Sequence, residues 1–246
     1  MFSYYGSKSK IVGYYPPPKY GKIIEPFAGS AKYSLKHFDN DVTIIELNKQ
    51  IYDIWIYLQQ SSEKEINALP RLIKGDDIKS LNLSNVEKDF LGMMFGNAGA
   101  VSPCYTVSSF GDYRLRGDSL GIVAKSIFKI KHWNIINGSC FDFPNEDATW
   151  FIDPPYQFGG HKYKFGNKNL DYKMLAEWCK SRNGQSIVCE NTKADWLPFN
   201  FLTSRSDNLS NAHKNKTVEC IWSNHKTNYD NVQTDLFANV ESQTKC

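Results

Sequence analysis

The residues best suited to chemistry in this sequence are Asp153-Pro154-Pro155-Tyr156. Two consecutive prolines fix φ twice and remove two backbone donors. They leave a stiff turn whose carbonyls point outward between a carboxylate and an aromatic ring. An amino nitrogen conjugated to a purine has a lone pair poorly disposed to attack. A carboxylate and a backbone carbonyl that accept its two N–H bonds steer that lone pair toward an electrophile, and the tyrosine ring can stack on the base. Taken alone, the tetrapeptide can also be read as an incidental Asp-Pro-Pro turn capped by a packed tyrosine, the lesser of the two readings.

Three further groups point to a nucleotide-like ligand. Glu25-Pro26-Phe27-Ala28-Gly29-Ser30-Ala31 is a glycine-containing turn, and Glu46 follows where a carboxylate can accept both hydroxyl hydrogens of a ribose. Glu46 reads also as an ordinary acid at a strand end. Tyr4-Tyr5-Gly6-Ser7-Lys8 offers an aromatic, a glycine and a lysine that could close over an anionic, aromatic ligand. Gly138-Ser139-Cys140-Phe141-Asp142 supplies an aromatic–acid pair, Phe141 and Asp142, able to hold an adenine ring.

The elements that must position these groups follow from the apolar pattern. Residues 22–25 predict a short buried strand, 26–30 a tight turn, 31–38 a helix, and 42–45 a second strand ending at Glu46. Strand, turn, helix, strand, acid is the layout of a βαβ nucleotide-binding unit. Ile51, Ile54, Trp55 and Leu58 give residues 49–60 helical spacing. Residues 61–133 lose the βαβ alternation: a helical patch at 86–95 precedes a Gly-rich, polar stretch at 96–121. Alternation resumes with a strand at 148–152 that runs into Asp153. A helix follows at 172–182, with Met174, Leu175, Trp178 and Cys179 apolar and Asn183-Gly184 as its stop. Residues 186–189 and 217–222 predict further strands, and 239–246 a frayed tail. The expected fold is α/β: a Rossmann-like sheet formed by residues 1–58 and 133–246, interrupted by a mostly helical insertion at 59–132.

Composition sets outer bounds. A hydrophobic content of 41% and a charged content of 22% are those of a globular domain. No window approaches the roughly 20 apolar residues of a membrane span, and residues 1–10 have no apolar core of a signal peptide. The reading is therefore intracellular, with no membrane partner. The six cysteines and five histidines show no ligand spacing, so no metal is expected and the thiols are read as reduced. The net charge of +3 permits nucleic acid without demanding it. Two basic stretches stand out: 157–170, with Lys162, Lys164 and Lys168 and no acid, and 108–131, with Arg114, Arg116 and three lysines against two acids. Each reads also as a solvated surface.

Taken together and in this order, the four motifs resemble the Dam-type (D12 class, alpha group) family of DNA adenine-N6 methyltransferases. The family's aromatic-x-Gly-x-Lys motif corresponds to residues 4–8, its Glu-Pro-Phe-x-Gly-x-Gly motif to 25–31, and its acid-x-Asn to Glu46-Leu47-Asn48. A recognition insertion and then Asp-Pro-Pro-Tyr follow. The chain departs from the pattern in carrying Ala31 for the last glycine and Glu46 for an aspartate. Val188-Cys189-Glu190-Asn191 and residues 214–219 match only loosely.

The resemblance implies S-adenosylmethionine as cofactor, held at Tyr4, Lys8, Glu25, Pro26, Phe27, Ala28, Gly29, Ser30, Glu46, Phe141, Asp142 and Asp153. It implies catalysis at Asp153, Pro154, Pro155 and Tyr156 on an adenine flipped out of double-stranded DNA, and DNA contacts at Lys162 and Lys164. It further implies a cytoplasmic, nucleoid-associated monomer, with a dimer left open, in a bacterium or a phage-infected host. Arg114 and Arg116 flank Leu115 and on a strand or hairpin would share a face. They are candidates for reading guanine or for contacting phosphate. Cytosine N4 as the methylated group, a non-catalytic DNA-binding relative and an RNA substrate stay open. A protein-glutamine substrate fits less well, because those enzymes resemble Asn-Pro-Pro-Tyr.

Overall fold

Every residue of Ala148–Ile152 is buried, as its unbroken apolar run requires of a strand covered on both faces. In the computed structural model this strand is β4, the middle of a seven-stranded sheet. The other strands are β1 (Lys22–Glu25), β2 (Asp41–Glu46), β3 (Asn134–Asn137), β5 (Gly184–Glu190), β6 (Asn200–Ser206) and β7 (Lys216–Ser223). The sheet order is β3-β2-β1-β4-β5-β7-β6. The expected Rossmann-like α/β fold is present, together with its mostly helical segment between β2 and β3. The structure describes residues 1–97, 100–206 and 216–225, without the side chains of 112, 113, 115, 116, 205, 206, 216 and 217.

The chain divides into two compact units, Met1–Ser9 with Glu25–Asp142, and Lys10–Ile24 with Phe143–Cys246. In the first unit, β2 and β3 pair in parallel from Thr43–Asn134 to Glu46–Asn137. Helix α1 (Lys32–Lys36) is shorter than the predicted 31–38, because Ala31 adopts a left-handed conformation and sits outside the helix as its N-cap. Helix α2 (Lys49–Gln60) buries Ile51, Ile54, Trp55 and Leu58, as their spacing predicts. Capping boxes at Ser62–Glu65 and Ser84–Glu87 start α3 (Glu63–Asn67) and α4 (Asn85–Phe95).

The polar stretch after α4 contains two helices that the sequence pattern did not show, α5 (Ser109–Arg116) and α6 (Ser119–Ala124). Arg114 and Arg116 therefore lie on a helix, not on a strand or hairpin. Two positions on a helix are about 200° apart, so these residues do not share a face.

In the second unit, β1 and β5 flank β4 in parallel, while β7 runs antiparallel to β5 and to β6. Helix α7 (Tyr172–Lys180) is capped by Asp171, whose side chain accepts from the backbone N–H groups of Lys173 and Met174. It buries Leu175, Trp178 and Cys179, but Met174 is 51% exposed and stands off the apolar face. Gly184 is the first residue of β5, so it does not act as the helix stop; α7 ends at Lys180 on Ser181. Among the described residues no helix is long and apolar enough to cross a membrane, and the five described cysteines are free thiols. The predicted tail at 239–246, Cys246 and Lys214 lie outside the described residues.

Candidate functional site

The first unit gathers most of the expected cofactor contacts at the carboxyl end of β2. Glu46 is the last residue of that strand and is 8% exposed. One carboxylate oxygen, Oε1, accepts the Asn48 backbone N–H at 2.8 Å, and Oε2 accepts that of Gly29 at 2.9 Å. Burial raises its pKa from the ordinary glutamate value to about 7, against the opposing pull of those two hydrogen bonds. Asn48 also caps α2 through its own side chain, which accepts from Gln50 N–H. The acid-x-Asn motif thus joins a buried carboxylate to the start of a helix.

The glycine turn is shaped around its neighbours. Gly29 has φ of 47°, and a Cβ there would lie 2.9 Å from the Tyr4 ring. The Trp55 indole N–H donates to the Gly29 carbonyl at 2.9 Å, and Ala28 N–H donates to Ile45 O at 3.1 Å, which fastens the turn to β2. Ala31 has φ of 43°. The left-handed region costs a residue with a Cβ about 1 kcal/mol.

Burial and the nearby Glu46 carboxylate push the Tyr4 hydroxyl well above its usual pKa, against a hydrogen bond with Asn48. Ser30 Oγ donates to Ser7 Oγ at 3.1 Å, which ties the N-terminal motif to the turn, and Lys8 is buried. Glu25, at the end of β1, is bonded to the start of α1. Its Oε2 accepts from Ser34 N–H at 3.1 Å and from Ser34 Oγ at 2.6 Å, so its visible role is to anchor α1. Phe141 and Asp142 lie in a helical turn just after β3, with Phe141 half-buried and Asp142 exposed. That turn follows Gly138, whose N–H donates to the Glu46 carbonyl at 3.3 Å.

The second unit holds Asp153-Pro154-Pro155-Tyr156 at the carboxyl end of β4, where α/β sheets place ligands. The turn is clamped. Gly160 N–H donates to Tyr156 O at 2.9 Å and the Tyr172 hydroxyl to Pro155 O at 2.6 Å. Among the described residues nothing donates to the Pro154 carbonyl. Below the turn lies Glu190, fully buried. It accepts from Gln157 N–H (2.6 Å), Asn191 N–H (2.8 Å) and the Trp196 indole (3.2 Å). Burial raises its pKa, against those donors.

The Gly160 position is tight: a Cβ there would lie 2.9 Å from the Pro155 carbonyl carbon, which is backbone and cannot swing aside. Gly160→Ala is expected to lower stability by about 1–3 kcal/mol through overpacking, read as a lower midpoint in chemical denaturation.

The sequence reading did not find Glu219, Tyr15, Tyr172 or Glu190 as parts of this site. The hydroxyls of Tyr15 and Tyr156 both donate to Oε1 of Glu219, each at 2.6 Å. Burial, then Glu219 and Asp153, drive the Tyr156 hydroxyl well above its ordinary pKa, so it stays a neutral donor. Glu219 carried one signal: it is the single acid in the apolar run Val218-Glu219-Cys220-Ile221-Trp222.

Lys162 and Lys164 are exposed, Lys162 in the helical turn Gly160–Lys162 and Lys164 with its ammonium 5.6 Å from the Phe165 ring centre. Arg114 is half-buried, with its guanidinium against Met94 Sδ (3.5 Å) and the Phe110 ring (5.6 Å). The side chain of Arg116 lies outside the described residues. Among the described residues no cluster of three or more His, Cys, Asp or Glu could hold a metal ion.

No family model matches the chain, and no curated protein matches it. Among solved structures it is similar to an Escherichia coli chain described as "Putative methyltransferase yhhF", with 8% identity and a TM-score of 0.35 over 84% of this chain and 76% of that one. So low an overlap says nothing of substrate or chemistry.

Proposed function

We propose that the chain transfers a methyl group from S-adenosylmethionine to N6 of an adenine flipped out of double-stranded DNA, as a Dam-type relative. The observation that carries this reading is the turn after β4. Asp153 follows β4 directly, the Pro154 carbonyl takes no hydrogen bond among the described residues, and Tyr156 closes the turn. Two acceptors and an aromatic face are what an exocyclic amine on a base requires.

The first unit fits a nucleoside-bearing cofactor. Each Glu46 oxygen accepts one backbone N–H and keeps a second lone-pair direction for a ribose hydroxyl. The Gly29 turn approaches Tyr4 too closely for any side chain. Bound there, S-adenosylmethionine supplies the electrophilic methyl group. Asp153 and the Pro154 carbonyl accept the two N–H bonds and orient the nitrogen lone pair, and Tyr156 stacks on the base. Extruding the base costs a few kcal/mol. The exposed Lys162 and Lys164, interleaved with exposed Phe158 and Phe165, supply charge for phosphates and rings for unpaired bases.

The test is product identification. Purified protein, labelled cofactor and mixed-sequence double-stranded DNA are incubated, and the DNA is digested to nucleosides. N6-methyldeoxyadenosine is expected. N4-methyldeoxycytidine would replace the substrate assignment, transfer to RNA alone would remove DNA, and no transfer would favour a non-catalytic relative.

A further inference from the structure

We infer that Glu219 is a positioning residue for Tyr156: from β7 it grips the tyrosine hydroxyl and fixes the axis of the ring that meets the target base. The inference rests on the methyltransferase reading above and assigns a role to a residue 63 positions from the tetrapeptide.

The backbone of the turn is already fixed. Gly160 and Tyr172 hold the carbonyls of Tyr156 and Pro155, and Glu190 holds the N–H of Gln157. At the side chain of Tyr156, the hydroxyl is held by Glu219. A phenol oxygen lies on the long axis of its ring, so anchoring it fixes where that axis points. The O–H also prefers the ring plane, which biases the plane. The 2.6 Å bond to Glu219 does both.

Glu219 is itself anchored. The same oxygen accepts from Tyr15 at 2.6 Å, and the Tyr15 ring packs edge-on against Phe151 of β4, centres 4.9 Å apart at 83°. Glu219 is 6% exposed, between Val218 and Cys220 on its strand. A buried acid with no task would be costly there. Two phenol hydroxyls supply hydrogen bonds to one of its oxygens. Tyr15, Tyr156 and Glu219 thus form one linked unit, in which only Tyr156 belongs to the catalytic turn.

The test is a double-mutant cycle read in kcat and in cofactor KM. Glu219→Ala and Tyr156→Phe are each expected to lower kcat about tenfold, as a small misplacement of a positioned group does, with cofactor KM unchanged. The double variant should be no more than about twofold worse than either single one, because both remove one interaction. Glu219→Gln, which keeps an acceptor oxygen, should recover kcat to within about threefold of the parent. Should Glu219→Ala not fold, Glu219→Asp takes its place, since it keeps the charge but withdraws the acceptor. Parental kcat in the folded Glu219 variant, or losses that multiply to about a hundredfold, would overturn the inference alone. No methyl transfer by the parent protein would overturn the functional reading and the inference with it.

Discussion

Asp153→Ala is expected to lower methyl transfer on the order of a thousandfold while leaving cofactor affinity within about threefold of the parent. The size follows from the proposed role. An acceptor aimed at a group whose charge changes only during reaction is worth about 10²–10³ in rate, and loss of orientation adds to that. Cofactor affinity should survive because the carboxylate proposed to hold the ribose is Glu46, whose hydrogen bonds are to Gly29 and Asn48. The fold should survive as well. Pro154 and Pro155 fix the turn covalently, and the bonds from Gly160 and Tyr172 are to its backbone. Asp153→Asn keeps one acceptor oxygen and should lose far less, about tenfold. Single-turnover transfer to DNA, with cofactor binding measured by calorimetry, separates the two quantities. Parental activity in Asp153→Ala would remove the tetrapeptide from the mechanism.

The sequence made the middle of the sheet legible and its rims obscure, for a physical reason. Strands β1, β2, β4 and β5 are buried apolar runs, which leave an unmistakable pattern. At the rims, β3 reads Asn-Ile-Ile-Asn and β6 reads Asn-Phe-Leu-Thr-Ser-Arg-Ser. An edge strand pairs on one side only and tolerates polar residues, so its sequence resembles a loop. The two short helices after α4 were hidden likewise. Ser109–Arg116 is mostly polar and glycine-containing, and it is its place against α4, not its own propensity, that makes it helical.

The site divides along a similar line. Groups that the chain itself brings close were readable as candidates: Glu46 with Asn48, Gly29, and the tetrapeptide after β4. Residues that act through long-range hydrogen bonds were not. Tyr15 meets Glu219 across 204 positions, and Glu190 meets Gln157 across 33. No spacing rule connects such pairs, because the sheet order, not the chain, makes them neighbours. Glu25 adds a bond that its motif did not announce: its carboxylate accepts from Ser34 at the start of α1.

Cofactor binding is expected to tighten about tenfold between pH 6 and pH 8, and Glu46→Gln to abolish that slope while weakening binding about 10- to 100-fold at pH 8. The cause is the raised pKa of Glu46, about 7 in the folded protein. Ribose hydroxyls donate to the ionised form, which is about 10% populated one unit below the pKa and about 90% one unit above it. The loss in Glu46→Gln reflects replacing charge-assisted hydrogen bonds, worth about 1.5–3 kcal/mol, by neutral ones. Adenosine serves as the probe, because it carries the ribose without the titrating amino-acid end of the cofactor. The same group sets a stability slope of the opposite sense. Its folded pKa lies above the ordinary glutamate value near 4.5, so its contribution is fully present below that pH and is lost as pH rises through about 7. The ligand-free parent should therefore lose stability relative to Glu46→Gln over pH 4.5–7, in the window where the parent gains affinity. A parent whose adenosine affinity is flat from pH 6 to 8 would show that the carboxylate does not hold the ribose. Opposite slopes in stability and affinity, both erased by one amide, would be hard to produce from any residue other than the buried acid that closes β2.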